Sequence, residues 1–178
     1  MRVLPLLVLL SGCASVPLKV ASTPTTLDAA ELAGTWHVVA TNFPMWTEGK
    51  KTKPTFNYGV LGEGRLSDVV RYVEDGAPGY IEGVDTQDKE TPTHFTWRGT
   101  GLLVLFVSAW DLVALDPAGE WAIVYFSSTL ATPEGVDIIT RRLQPPPEAA
   151  LAVIAADPVL KEKAAGLKVL VTPAAAVD

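Results

Sequence analysis

The stretch VSAWDLVALDPAGEWAIVYF, residues 107–126, carries the pattern on which the fold turns. Two runs rich in Val, Ile, Trp, Tyr and Phe, 107–115 and 121–126, flank Asp116-Pro117-Ala118-Gly119, which spells strand, tight turn, strand. The same grammar extends outward in both directions. Strand-forming runs cover 36–43, 55–61, 66–73, 80–85, 93–98 and 136–142, separated by Gly62-Glu63-Gly64, Glu74-Asp75-Gly76, the 86–92 loop and Thr132-Pro133-Glu134-Gly135. Most of these links are short enough to join antiparallel neighbours. About eight such strands predict an all-β domain, an eight-stranded antiparallel up-and-down sheet closed into a calyx barrel with room for one small ligand. A two-sheet sandwich filled by side chains is the competing architecture.

Beyond residue 142 the character changes. Pro145-Pro146-Pro147 leads into EAALAVIAA, residues 148–156, whose composition and start predict a C-terminal α-helix. Residues 168–171 then offer a short final strand, placed to return beside the first.

With 178 residues, 48% of them hydrophobic and 19% charged, the chain is sized for one core. Its net charge of −6 and the absence of a Lys/Arg stripe argue against a nucleic-acid partner, because such affinity comes mainly from neutralising phosphates. The single Cys cannot form an intramolecular disulfide.

That Cys closes an N-terminal leader. One Arg is followed by an apolar run, residues 3–10, broken only by Pro5, and then by Leu10-Ser11-Gly12-Cys13. The run is too short to span a bilayer, which needs ~20 apolar residues. The leader resembles the signal of bacterial lipoproteins, whose lipobox ends in Cys. The resemblance implies cleavage after residue 12 and acylation of Cys13, with more than one chain for stable anchoring. Ala14 behind the Cys points, by the same analogy, to the outer membrane and a periplasm-facing domain. The expected organisation is a signal peptide (1–12), an acylated Cys and flexible linker (13–30), the domain (31–173) and a tail (174–178).

Three further segments resemble the bacterial lipocalins in order: Gly34-Thr35-Trp36, Trp110-Asp-Leu-Val-Ala-Leu-Asp116 and Ile138-Ile139-Thr140-Arg141. They span the chain from about residue 32 to 171. Two positions depart from the family pattern, Trp110 where Tyr is usual and Asp137 where Trp is frequent. The resemblance implies a barrel closed at its base around Gly34 and Trp36, with the guanidinium of Arg141 laid over the Trp36 ring.

Candidate ligand contacts follow from strand alternation and the resemblance together. The resemblance places Phe56, Tyr58, Val70 and Tyr72 inward, and Trp97 joins them from the fifth strand. On the last barrel strand Asp137 shares a face with Ile139, either inward near the mouth or in solvent on the rim. The sixth strand is open: alternation puts Trp110 and Leu112 inside, whereas the family alignment prefers Asp111 and Val113, so both Trp110 and Val113 are candidates. Residues 102–106 are unusually apolar and form either an exposed loop at the open end or an extension of the sixth strand.

Catalytic equipment is sparse. His37 and His94 are the only histidines, no nucleophile elbow, phosphate-binding Gly loop or His-x-x-x-His pair occurs, and acylation would consume Cys13. No metal, cofactor or catalytic residue is expected. The sequence therefore predicts a membrane-anchored carrier of a hydrophobic small molecule, a fatty acid or lysophospholipid, serving envelope lipid storage, repair or transport. A filled-barrel interaction lipoprotein and an envelope enzyme on a lipophilic substrate are the alternatives. The oligomeric state, a homodimer included, is not legible.

Overall fold

A computed structural model describes residues 16–129 and 132–171. Eight strands form the wall: β1 (Gly34–Thr41), β2 (Lys51–Gly62), β3 (Arg65–Glu74), β4 (Ala77–Gln87), β5 (His94–Gly99), β6 (Val107–Leu115), β7 (Trp121–Phe126) and β8 (Gly135–Thr140). Each pairs antiparallel with the next, β8 pairs with β1, and β1 pairs with β2 through Gly34↔Tyr58 to His37↔Thr55, which closes the barrel. The sandwich alternative is thereby excluded. Outside the barrel lie α2 (Glu148–Ala156), α3 (Pro158–Lys163) and β9 (Lys168–Val169), which adds to β1 at Ala40 and Thr41. A one-turn helix, α1 (Pro44–Thr47), sits between β1 and β2. No helix among the described residues is long and apolar enough to cross a membrane.

Two apolar layers result from strand alternation. The inner one contains Trp36, Val38, Phe56, Tyr58, Leu66, Phe95, Trp110, Leu112, Ala122, Val124 and Ile139. The outer one packs Val39, Val113, Ile123, Val136 and Ile138 beneath Ile154 of α2 and Leu160 of α3. Bulges adjust the alternation where the wall curves. Register shifts between Leu112 and Ala114, so Val113 and Ala114 both pack outside while Leu115 turns back in. Pro54 is accommodated in the same way, beside the register shift between Thr52 and Thr55 in β2.

The base is plugged as the resemblance implied. Trp36 is fully buried and donates from Nε1 to the Leu32 carbonyl at 2.7 Å. The Arg141 guanidinium lies 3.7 Å from the centroid of the Trp36 ring and donates to the carbonyls of Ala33 (2.6 Å), Glu31 (2.8 Å) and Gly119 (3.3 Å). Gly34 has φ +105°, and a Cβ there would come within 3.0 Å of Arg141 Nη1. Two residues either side of the barrel seam therefore depend on each other.

The linker expectation needs correcting for its described part. Instead of forming a free tether up to residue 30, the chain runs along the outer wall. Leu18 N donates to Asp111 Oδ2 at 3.1 Å, Ser22 Oγ donates to the Val113 carbonyl at 2.9 Å, and Leu18 and Val20 pack on the outer layer. Leu27, Ala29 and Leu32 then bury themselves against the base, where Asp28 and Glu31 form a capping box on the short 3-10 turn Ala29–Leu32. Apolar side chains at Leu18, Val20 and Leu27 gain more from docking than a solvated linker would retain in entropy. Cys13, the leader and the tail at 174–178 lie outside the described residues.

Candidate functional site

Up-and-down topology puts the β1–β2, β3–β4, β5–β6 and β7–β8 connections at one end of the barrel. A cavity of about 420 Å³ opens at that end, lined from the rim by Phe43 to Trp46 and by Ser127, Thr132 and Pro133. That is near the lower end of the ~300–1,000 Å³ usual for small-molecule sites, so it suits one modest ligand. Its deeper wall is aromatic and branched-chain: Phe56, Val70, Ile81, Trp97, Trp110 and Phe126. The rings hold one another. Phe95 stacks under Trp110 with centroids 4.1 Å apart, Phe126 meets Phe43 edge-on at 5.4 Å and Phe56 at 5.9 Å, and Trp46 leans on Tyr72 at 5.9 Å. Gly83 makes the Trp97 position available, because a Cβ there would fall inside the indole.

Five of the nine expected ligand contacts line this cavity: Phe56, Val70, Trp97, Trp110 and Asp137. Three others share the inner face without reaching it. Tyr58 stacks against Trp110 below, Ile139 packs in the base layer, and Tyr72 stands near the mouth behind Trp46. Val113 is wrong: alternation from Trp110 and Leu112 inside sets Val113 outward beneath the helices, and the bulge that follows keeps Ala114 outside with it. Asp111 also faces out, fully buried, with His94 Nδ1 at 2.7 Å and the Leu18 amide on its carboxylate. His37 is half-buried on β1, and no group of three His, Cys, Asp or Glu side chains among the described residues is arranged to hold a metal.

The interior is not uniformly apolar. Asp68, Asp85 and Asp137 all point inward, and Asp137 is fully buried beside the Thr41 hydroxyl, its neighbour across the β1–β8 ladder. Burial pushes Asp137 up to about 7, which the neighbouring Thr41 hydroxyl opposes only in part. Asp85 accepts from Trp110 Nε1 at 2.7 Å through one oxygen and leaves the other unpaired; burial likewise raises it to about 7 despite that bond. Asp68 is raised by burial and by the charge of Asp85, with Trp97 opposing. Tyr58, opposite Asp68 in the β2–β3 register, is held protonated by burial and by all three carboxyls. Asp68 and Asp85 were missed from sequence, although Asp68 lies two residues before Val70 and Asp85 four after Ile81, on the same faces.

The rim is braced on one side and apolar on the other. Tyr125 Oη donates to Glu134 Oε2 at 2.7 Å, and Lys163 of α3 grips both Glu134 oxygens at 2.8 and 2.9 Å, which lowers the Glu134 pKa. The β5–β6 connection is a loop with a 3-10 turn at Gly101–Leu103, so residues 102–106 do not extend β6. Leu102 is 100% and Leu105 89% exposed, with Val104 and Phe106 about half so.

Solved structures resemble this architecture at low sequence identity. The siderocalin Ex-FABP, described as functioning through dual ligand specificities, superposes with a TM-score of 0.61 at 14% identity, covering 82% of this chain and 97% of its own. Lobster apocrustacyanin A1 gives 0.59 at 12% identity over 82% of this chain and 79% of its own. Apocrustacyanin C2 gives 0.59 at 13% identity, with 80% and 78% covered. The barrel is a lipocalin fold. No protein-family model and no curated sequence matches the chain. The lipocalin helix and extra strand are both present, as α2 and β9.

Proposed function

We propose that this lipocalin-fold protein is an envelope-anchored carrier of one small hydrophobic molecule, held in the calyx. The observation that carries the reading is the aromatic-walled cavity of about 420 Å³ inside a barrel sealed at the other end by Trp36 and Arg141. A filled-barrel scaffold would have no use for such a space. Burial of an alkyl or aryl body there supplies affinity at roughly 25 cal/mol per Å², less the costs of association.

The lipobox at residues 10–13 supports acylation of Cys13 and an outer-membrane address facing the periplasm. The exposed Leu102, Leu105 and Phe106 beside the mouth suit contact with a bilayer during ligand exchange. Of the two ligand classes expected from sequence, a free fatty acid would bring an unbalanced negative charge toward Asp68 and Asp137, whereas a zwitterionic lysophospholipid balances its phosphate with an ammonium and suits the interior better.

The protein purified with its anchor, extracted and analysed by mass spectrometry, should release a stoichiometric amphiphile, and the same amphiphile should change Trp97 and Trp110 fluorescence on return. No released molecule, and no response to any alcohol, acid or lysophospholipid offered, would remove the carrier reading. Palmitate labelling lost in Cys13→Ser tests the anchor separately.

A further inference from the structure

We propose that the calyx selects ligands bearing a protonated amine, with the ammonium seated on Asp137 and the apolar body against Phe56, Trp97, Trp110 and Phe126. The inference rests on the carrier reading and names the ligand chemistry. Asp137 lines the cavity and is 0% exposed, and the Thr41 hydroxyl across the β1–β8 ladder is all that offsets the burial of its carboxyl. Asp68 lines it as well, with Oδ1 unpartnered. None of the described residues lining the cavity is Lys, Arg or His, so the protein supplies no counter-cation there.

A buried carboxyl left in this condition is costly unless something completes it. An alcohol offers one O–H, and an acid adds a second negative charge. An ammonium offers a positive charge and N–H donors, making charge-assisted hydrogen bonds stronger than neutral ones. The surrounding rings favour the same occupant, since their faces attract cations and their area takes up an apolar body. Burial of Asp137 also raises its affinity for a proton, and an ammonium replaces that proton as the neutralising partner. A free lipophilic amine and an ammonium carried on a lipid headgroup share this chemistry.

The test compares octylamine, octanol and octanoate by tryptophan fluorescence on the full protein at about pH 8, where the amine is charged and the ordinary carboxylate ionised. Octylamine should bind at least about tenfold tighter than octanol, and octanoate weakest. Asp137→Asn should bring the amine-to-alcohol ratio close to one. Displacement of octylamine by a lysophosphatidylethanolamine assigns the ammonium to a headgroup, and failure to displace it assigns it to a free amine. Equal binding of octanol and octylamine to the unmodified protein overturns the inference while leaving the carrier reading intact, as does preference for octanoate. Binding of none of the three, and of no lysophosphatidylethanolamine either, overturns both. The unmodified protein decides the question even if Asp137→Asn does not fold.

Discussion

Replacing Asp137 by Asn should make the protein more stable in neutral and mildly alkaline solution and hardly alter it in acid. The carboxyl sits at about 7 in the folded chain against an ordinary 3.8, a rise of about three pH units. At about 1.4 kcal/mol per unit, that difference is worth up to about 4 kcal/mol. The sign follows from proton counting. Between pH 4 and 7 the folded chain holds a proton that the unfolded chain has released, so stability falls as pH rises through this window and then levels off. Below it both states are protonated and the penalty is absent. Asp85, also raised to about 7, adds a parallel loss, while Asp68 and Tyr58 share the same interior and remain in both proteins. The variant should therefore remove the share of Asp137 and leave the slope due to Asp68 and Asp85. Its unpaired amide adds an offset that does not change with pH. Urea denaturation followed by tryptophan fluorescence at about pH 4, 6 and 8 measures the gap, which should widen toward 8. A gap constant across that range would refute the burial of an ionisable group at this position.

Arg141→Lys should cost about 1–3 kcal/mol in the same denaturation experiment, because an ammonium can neither stack flat on Trp36 nor reach the Ala33 and Glu31 carbonyls together. Gly83→Ala should destabilise by about 1–3 kcal/mol and shift the fluorescence, since the new methyl displaces the Trp97 indole from the cavity wall. Leu102→Asp with Leu105→Asp should leave thermal stability within about 0.5 kcal/mol, both side chains being exposed, yet slow ligand uptake from vesicles. Unchanged uptake would detach the rim from membrane exchange.

Local chemistry was legible where it acts locally. The limits of β6, β7 and α2 coincide with the runs read from sequence, because turn residues and Pro147 mark them without help from distant contacts. What escaped depends on long-range packing. On β6 alternation sets Trp110 and Leu112 inside correctly, and it is the family alignment that puts Val113 inward; the bulge after it, which keeps Ala114 outside, answers to barrel curvature and leaves no local mark. Inward carboxylates at Asp68 and Asp85 run against the general preference of charge for solvent, and only their spacing from Val70 and Ile81 reveals them. The polar 16–30 segment reads as linker because its few apolar residues lack a period, yet Leu18, Val20 and Leu27 each find a place on the wall. Trp46 in α1 covers the mouth from a stretch with no periodic signal at all.

The docked N-terminal segment also sets a leash. Its described course runs from Leu18 beside Asp111 to Ser22 beside Val113 and on to the base, parallel to β6, so the chain meets the wall about midway along that strand. With Cys13 in a bilayer as proposed, the stretch up to Leu18 reaches at most about 18 Å when fully extended. A domain of this size is roughly 35–40 Å across. The barrel would then be unable to tumble freely above the membrane, and its opening would stay within about one domain diameter of the lipid from which cargo is drawn.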